Sequence, residues 1–178
     1  NLANAGEQSV DGVEVDVMLR PTERLSLGVS GTYLDPFYDS FIGANVGGEA
    51  LDLSGTIPGG ISELTLSLIG SYDFTVLGWD AWIQADYRYD KEVDIQDGGD
   101  LSESNILLET THSRTREVGL LNASVGIAKN GWEFRVWGRN LTNDEYLITW
   151  FPSVAQTGSF TGYPNQPRMW GASIRKSF

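Results

Sequence analysis

The sequence predicts an all-β fold, an antiparallel up-and-down meander of about seven strands. Segments of about ten residues alternate apolar with polar side chains, as strands do when their two faces meet different surroundings. The connections between these segments are short and long in turn, and aromatic residues stand near the ends of the apolar positions. A membrane β-barrel combines all three features, whereas soluble sandwiches mix their loop lengths.

The first two predicted strands meet at a short turn, Pro21-Thr22-Glu23-Arg24. Their apolar side chains share one face, because alternate residues of a strand point to the same side. These apolar positions are Val13, Val15, Val17, Leu19, Leu25, Leu27, Val29 and Tyr33. A long Gly-containing connection follows, at about Asp35–Ile61.

The third and fourth predicted strands form a second hairpin around Val76-Leu77-Gly78. Their shared apolar positions are Leu64, Leu66, Leu68, Tyr72, Phe74, Trp79, Ala81, Ile83, Ala85, Tyr87 and Tyr89. The second long connection, Lys91 to about Thr115, is polar and acidic.

The third hairpin turns at Asn130-Gly131, which is the strongest hairpin signal in the chain. The apolar positions of its two strands are Leu121, Ala123, Val125, Ile127, Trp132, Phe134 and Val136. A third long connection, from about Thr142 to Pro167, leads to the last predicted strand, Arg168–Phe178. One face of that strand carries Trp170, Ala172, Ile174 and Lys176 and ends at Phe178.

The shared apolar face predicts contact with lipid. We expect one representative of each strand to point outward into the membrane: Val15, Leu27, Leu66, Ile83, Val125, Val136 and Ile174. Two tryptophans, Trp82 and Trp137, interrupt the opposite, polar face. They could stack on a ligand or on a plug, or they could pack among the other side chains of the barrel lumen.

Composition excludes several functions. The chain has 178 residues, a formal net charge of −12 and no cysteine. The negative charge argues against nucleic acid as a partner, because phosphate binding needs clustered Lys and Arg. His112 is the single histidine, and the acidic spacing Asp94, Asp97, Asp100 and Glu103 does not match a calcium loop. We therefore expect no catalytic residue, no metal site and no cofactor.

Several segments resemble the C-terminal part of TonB-dependent outer-membrane receptors. Gly12-Val13-Glu14-Val15, followed by Arg20-Pro21, resembles that family's "GvE…P" hairpin. Asp52–Pro58, with the later Tyr72-Asp73-Phe74, resembles its "DLSG…P…Y.F" stretch. The most specific match is Gly138–Tyr146, which resembles the "NLf(d/n)…Y" signature of the penultimate strand.

The resemblance continues to the end of the chain. Pro167-Arg168 is similar to the family's "PR" pair, and Phe178 is similar to its terminal aromatic residue. In the family that aromatic residue is an assembly signal. Within the Gly138–Tyr146 match, Asn140 and the residues from Thr142 to Glu145 are expected to bond to their own backbone and start a turn.

The resemblance implies that residues 1–178 are the C-terminal segment of a barrel of about 22 strands, a size at which the lumen holds a plug. The plug domain, the TonB-contacting segment and the earlier strands are absent from this sequence. The implied function is import of a scarce nutrient, such as a ferric siderophore, across the bacterial outer membrane. The implied partners are membrane lipid, the plug and remaining strands, TonB through the missing N-terminal part, and a small-molecule nutrient.

In that interpretation the three long connections face outside the cell and contact the nutrient. Aromatic residues of the third connection, Thr142–Gln166, are the substrate-contact candidates: Trp150, Phe151, Phe160 and Tyr163.

Two other classes of protein stay open. One is a soluble β-sandwich that binds carbohydrate through the same aromatic residues. The other is a small barrel of about eight strands, either an enzyme or a structural protein. Solubility separates them from a membrane barrel, which would leave an apolar face in water.

Overall fold

A computed structural model describes residues 6–46, 49–98, 114–152 and 159–178. It contains eleven strands in chain order. The strands are β1 (Glu7–Thr22), β2 (Leu25–Ser40), β3 (Ile42–Val46), β4 (Glu49–Asp52), β5 (Leu64–Val76), β6 (Trp79–Asp94), β7 (Thr115–Lys129), β8 (Trp132–Arg139), β9 (Leu147–Pro152), β10 (Phe160–Pro164) and β11 (Met169–Lys176). No helix in the described ranges is long and apolar enough to cross a membrane.

The predicted seven-stranded antiparallel meander is confirmed. Seven long strands form one sheet in the order β1-β2-β5-β6-β7-β8-β11. Every neighbouring pair is antiparallel. The described sheet does not close on itself, because β1 and β11 lie at its two edges.

The short turns form for local reasons. Leu77 and Gly78 have φ angles of 51° and 74°, and Asn130 and Gly131 have φ angles of 51° and 76°. Positive φ at both central residues is the two-residue hairpin turn that suits the twist of antiparallel strands. At the turn between β1 and β2, the Thr22 hydroxyl oxygen accepts hydrogen bonds from the backbone N–H groups of Arg24 and Leu25.

β2 extends further than the sequence predicts, and two of the long connections contain short strands that it does not predict. The β1–β2 ladder continues beyond the predicted strands, so that Glu7 pairs with Ser40 and Asp11 with Asp35. The predicted connection Asp35–Ile61 therefore begins only after Ser40. It contains the β3–β4 hairpin, and the third connection contains the β9–β10 hairpin. Alternation of apolar residues missed these hairpins because their strands are only 4–6 residues long.

The apolar face lies on one side of the sheet. Register places Ile83 opposite Val125 and Val125 opposite Val136, and the other strands follow the same parity. All seven representatives are exposed, from 36% for Leu66 to 68% for Ile174. An exposed apolar patch this continuous is unusual for a soluble monomer.

The buried apolar clusters of the described residues lie in the long connections and at the adjoining end of β2, not on that face. One contains Tyr38, Ala44 and Leu53, and the other contains Ile95 and Trp150. A β-sandwich would instead bury the apolar face under a second large sheet. The soluble sandwich considered from sequence is therefore not the fold of the described chain.

Candidate functional site

Asn140 organises the exit from β8. It is buried and has a left-handed φ of 49°, which Asn tolerates better than most residues. Its Oδ1 accepts hydrogen bonds from the Thr142 hydroxyl at 3.2 Å and from the Asp144 backbone N–H at 2.9 Å. Its Nδ2 donates to the carbonyl oxygens of Asp144 and Gln166, both at 2.9 Å. The expectation that this segment bonds to its own backbone is confirmed, and the bond to Gln166 also fixes the approach to β11.

The Asp52–Gly55 segment forms a turn that closes the first connection onto β2. The Asp52 carboxylate accepts hydrogen bonds from the Ser54 backbone N–H at 3.0 Å and hydroxyl at 2.6 Å, and these bonds lower the pKa of Asp52. Leu53, next to it, is completely buried against Tyr38 and Ala44. Gly55 has a φ of 78° and donates its N–H to the Tyr38 carbonyl at 2.6 Å.

Asp97 joins the first two long connections. Its carboxylate accepts a hydrogen bond from the Gly59 backbone N–H at 2.8 Å and another from the Tyr38 hydroxyl at 3.1 Å. Burial, together with the negative charge of Asp97, raises the pKa of Tyr38 to about 12. The Tyr38 hydroxyl therefore stays protonated at neutral pH and remains a donor to Asp97.

Two side chains join the third connection to the others. The Arg116 guanidinium donates to the Ile148 carbonyl at 2.9 Å and to the Gly60 carbonyl at 3.3 Å. The Gln96 side-chain amide donates to the Trp150 carbonyl. The described parts of the three long connections thus pack together at one end of the sheet, which we call the loop end.

The β9–β10 hairpin separates the four predicted substrate-contact residues into two pairs. Trp150 is opposite Gly162 and Phe160 is opposite Pro152, whereas Phe151 is opposite Thr161 and Tyr163 is opposite Thr149. Alternation therefore sends Trp150 and Phe160 to one side and Phe151 and Tyr163 to the other.

The two pairs have different surroundings. Trp150 is only 3% exposed; it packs against Ile95 and meets Phe160 edge to face at 5.3 Å between ring centroids. Phe151 and Tyr163 are 39% and 52% exposed, with ring centroids 5.7 Å apart. The second pair therefore presents more aromatic surface than Trp150 to a molecule arriving from solvent.

Trp82 and Trp137 lie on the polar face, each across a glycine of the neighbouring strand. A Cβ atom on Gly126 would come within 2.2 Å of the Trp82 ring, and one on Gly171 within 2.6 Å of the Trp137 ring. Gly126 is the register partner of Trp82, and Gly171 that of Trp137. Both rings therefore pack across a glycine, and Arg139 also lies 5.6 Å from the centroid of Trp137.

A cavity of about 830 Å³ opens on the polar face near the loop end. Asp86, Asn122, Arg135 and Trp137 form its floor on the sheet, and Tyr146 lies on its rim with the segment that follows Asn140. Within the floor, Asn122 donates to Asp86 at 2.7 Å. The lining thus contains a carboxylate, a guanidinium, amides and an aromatic ring. Such a lining suits contact with a polar protein surface better than binding of an apolar ligand.

The described residues contain no group of three or more His, Cys, Asp and Glu side chains that could hold a metal ion. His112, Asp100 and Glu103 lie outside the described ranges. Phe178, the predicted assembly signal, lies beyond β11 and is fully exposed.

Sequence reasoning found Asn140 but missed the residues that join the connections. Asp97 was considered only as part of an acidic series, and Arg116 and Gln96 carried no motif. Their partners are 32 to 59 residues away in sequence. No local sequence pattern predicts contacts between residues so far apart.

The sheet, its open apolar face and the Asn140 turn agree with a comparison to known families. The family described as TonB dependent receptor-like, beta-barrel, matches residues 1–141. The chain belongs to this family. No curated protein matches the sequence.

A solved structure has the same fold. The ferric yersiniabactin uptake receptor FyuA from Yersinia pestis matches with a TM-score of 0.73 and 15% sequence identity. The match covers 100% of this chain and 25% of FyuA, so the chain spans about a quarter of that receptor's length. The described sheet is thus a segment of a TonB-dependent receptor barrel fold, and both the family and this neighbour are transport receptors.

Proposed function

We propose that this chain is the C-terminal barrel segment of an outer-membrane receptor that binds and imports a scarce nutrient, with a ferric siderophore as the favoured class. The observation that carries the proposal is the exposed apolar face across all seven long strands. Such a face is stable in lipid and unstable in water. The family supports the receptor function, and the uptake of a ferric siderophore by FyuA supports the nutrient class.

The two faces suggest the partners. Lipid covers the apolar face, and the polar face lines a lumen in which a plug domain of the same protein sits. The cavity beside Arg135 and Trp137 is then a contact surface for that plug. TonB acts through the part of the receptor that precedes these strands. We propose no catalytic step for this segment.

The loop end supplies the nutrient contact. Phe151 and Tyr163 are the exposed aromatic pair, and they are held in place by a hairpin whose other side packs on Ile95 through Trp150. Of the four candidates, we assign direct substrate contact to Phe151 and Tyr163 and support of the hairpin to Trp150 and Phe160. A fixed aromatic pair binds with little loss of side-chain freedom.

Membrane contact is tested with spin labels on the receptor that carries this chain. Labels at Val15, Leu27, Leu66, Ile83, Val125, Val136 and Ile174 should be relaxed by a lipid-soluble quencher and protected from an aqueous one. Matched labels on the polar face, at Ser67 and Ser124, should show less lipid access. The opposite pattern would remove the membrane placement.

Nutrient contact is tested by binding of ferric catecholate, hydroxamate and phenolate siderophores, with cobalamin as a non-iron nutrient. The double variant F151A/Y163A should weaken binding of the preferred compound about tenfold, because two aromatic contacts are lost. Leu77→Ala is the matched control, since Leu77 is an exposed apolar residue at the opposite end. Unchanged affinity in F151A/Y163A would refute the assignment of these two residues.

A further inference from the structure

The outer face carries an alternating row of aromatic and cationic side chains at its short-turn end. Lys129 is the last residue of β7 and Lys176 the last residue of β11. Both are register partners of Trp132, one on each side. Trp79 of β6 extends the row, since the Lys129 amine lies 5.8 Å from its ring centroid. We call these four residues the basic rim.

Each amine of the basic rim lies over an aromatic ring and can still donate hydrogen bonds to a further acceptor. The Lys176 Nζ lies 5.0 Å from the Trp132 centroid and donates to the Asn130 carbonyl at 2.8 Å. Neither amine forms a salt bridge within the described part of the chain. The acidic residues Asp80 and Glu133 occupy alternate positions in their strands, so they point to the polar face.

Spacing suits a single phosphate. The two lysines stand two strands apart, which is roughly 10 Å between backbones. Flexible four-carbon stems allow both ammonium groups to reach one anion between them, above the Trp132 ring. The two positive charges thus suit a ligand that carries several anionic oxygen atoms, such as a phosphate.

The surroundings indicate that the anion belongs to a lipid. Phe134 stacks beside Trp132 at 6.2 Å and is the register partner of Ile174, and both lie one step further along the apolar face. Val136 continues the same line and is 54% exposed. A molecule whose phosphate meets the lysines would lay its acyl chains on these side chains.

We propose that Lys129 and Lys176, on either side of Trp132, bind the phosphate of a phospholipid in the membrane leaflet on the short-turn side. The inference rests on the proposed function, because it requires lipid on the apolar face. It adds to the apolar face one defined lipid site, formed by the Trp132 ring and the two lysine amines.

The test uses the full receptor in non-ionic detergent and measures bound lipid by native mass spectrometry. Phosphatidylglycerol should occupy one site more tightly than all others. Diacylglycerol with the same acyl chains lacks the phosphate and should bind there at least tenfold more weakly. Equimolar inorganic phosphate should not displace the lipid.

The variant K129Q/K176Q should weaken the tight site about 25-fold, because each cation near an anionic lipid contributes about fivefold. Lys91→Gln is the matched control, since Lys91 is the remaining lysine, lies in β6 and forms a salt bridge with Glu63. If the double variant does not assemble, Lys129→Gln alone should weaken the site about fivefold.

Three results would overturn the lipid site: full binding in K129Q/K176Q, equal binding of diacylglycerol, or displacement by equimolar phosphate. The last would mean that free phosphate is the ligand. Siderophore binding is measured on the same preparations. If it persists while the tight lipid site is missing, the lipid inference fails and the receptor function stands.

Discussion

The Asn140 side chain holds together the turn that follows β8 and the segment that leads into β11. Both its amide oxygen and its amide nitrogen are used twice, and one of the four bonds reaches Gln166 across 26 residues. A buried side chain with this many partners leaves several polar groups unsatisfied when it is removed.

Replacing Asn140 with Ala should destabilise the receptor by about 2–4 kcal/mol, from unsatisfied buried groups and from the left-handed φ. Asn143→Ala is the matched control, because Asn143 also has a positive φ, of 56°, but is exposed and makes one side-chain bond. It should cost about 1 kcal/mol. Urea unfolding in lipid vesicles measures both, and equal losses would assign the effect to the backbone alone.

Tyr38 gives a prediction for alkaline pH. It lies near the end of β2, beyond the apolar face, and its folded pKa of about 12 exceeds the ordinary value of 10.0. A raised folded pKa means that the stabilisation is complete below pH 10 and is lost as the pH rises toward 12. The difference in phenolate absorbance between the native protein and Tyr38→Phe should therefore have its midpoint near 12. A midpoint near 10 would show that Tyr38 is not buried beside Asp97.

At the scale of strands, tryptophan and glycine act as cross-strand partners on the polar face. The Trp82 ring covers the backbone of Gly126, a place that a Cβ would occupy. This arrangement fills the gap left by a glycine in the sheet interior.

Gly126→Ala should cost about 1–3 kcal/mol, because the Trp82 ring must move. Gly70→Ala is the matched control, since a Cβ there would meet only Leu27, at an ordinary 3.5 Å. In the double variant W82A/G126A, the cost of the alanine at 126 should largely disappear. Additive costs in a double-mutant cycle would contradict the packing role.

The regular elements could be predicted from sequence, and the loop end could not. Alternation and the Asn130-Gly131 turn depend on neighbours, so they predict the seven strands and the side on which Ile83 or Ile174 lies. The burial of Trp150 depends on Ile95, which is far away in sequence and belongs to another connection. Sequence therefore predicts four aromatic candidates but cannot separate the packed pair from the exposed one.

At the scale of the whole molecule, the described sheet leaves two edges. β1 and β11 each have one neighbour, so one row of backbone N–H and C=O groups on each is unpaired within this sheet. Unpaired backbone groups are costly in lipid and invite pairing with other strands.

Residues 1–178 expressed alone should not give a closed monomeric barrel. Oligomers, or an open sheet that depends on added strands, are expected in detergent, and sedimentation analysis distinguishes them from a monomer. The full receptor is the control. A stable closed monomer of 178 residues would instead favour a small self-sufficient barrel.

The cross-links among the long connections limit how the nutrient specificity of such a receptor can be exchanged. Asp97 needs Gly59 from the first connection and Tyr38 from the adjoining end of β2, and Arg116 needs Gly60 and Ile148 from the first and third connections. A single connection grafted from a relative would bring a surface without its matching donors or acceptors. A change of nutrient specificity, whether by protein design or by natural recombination, must therefore transfer the three connections together.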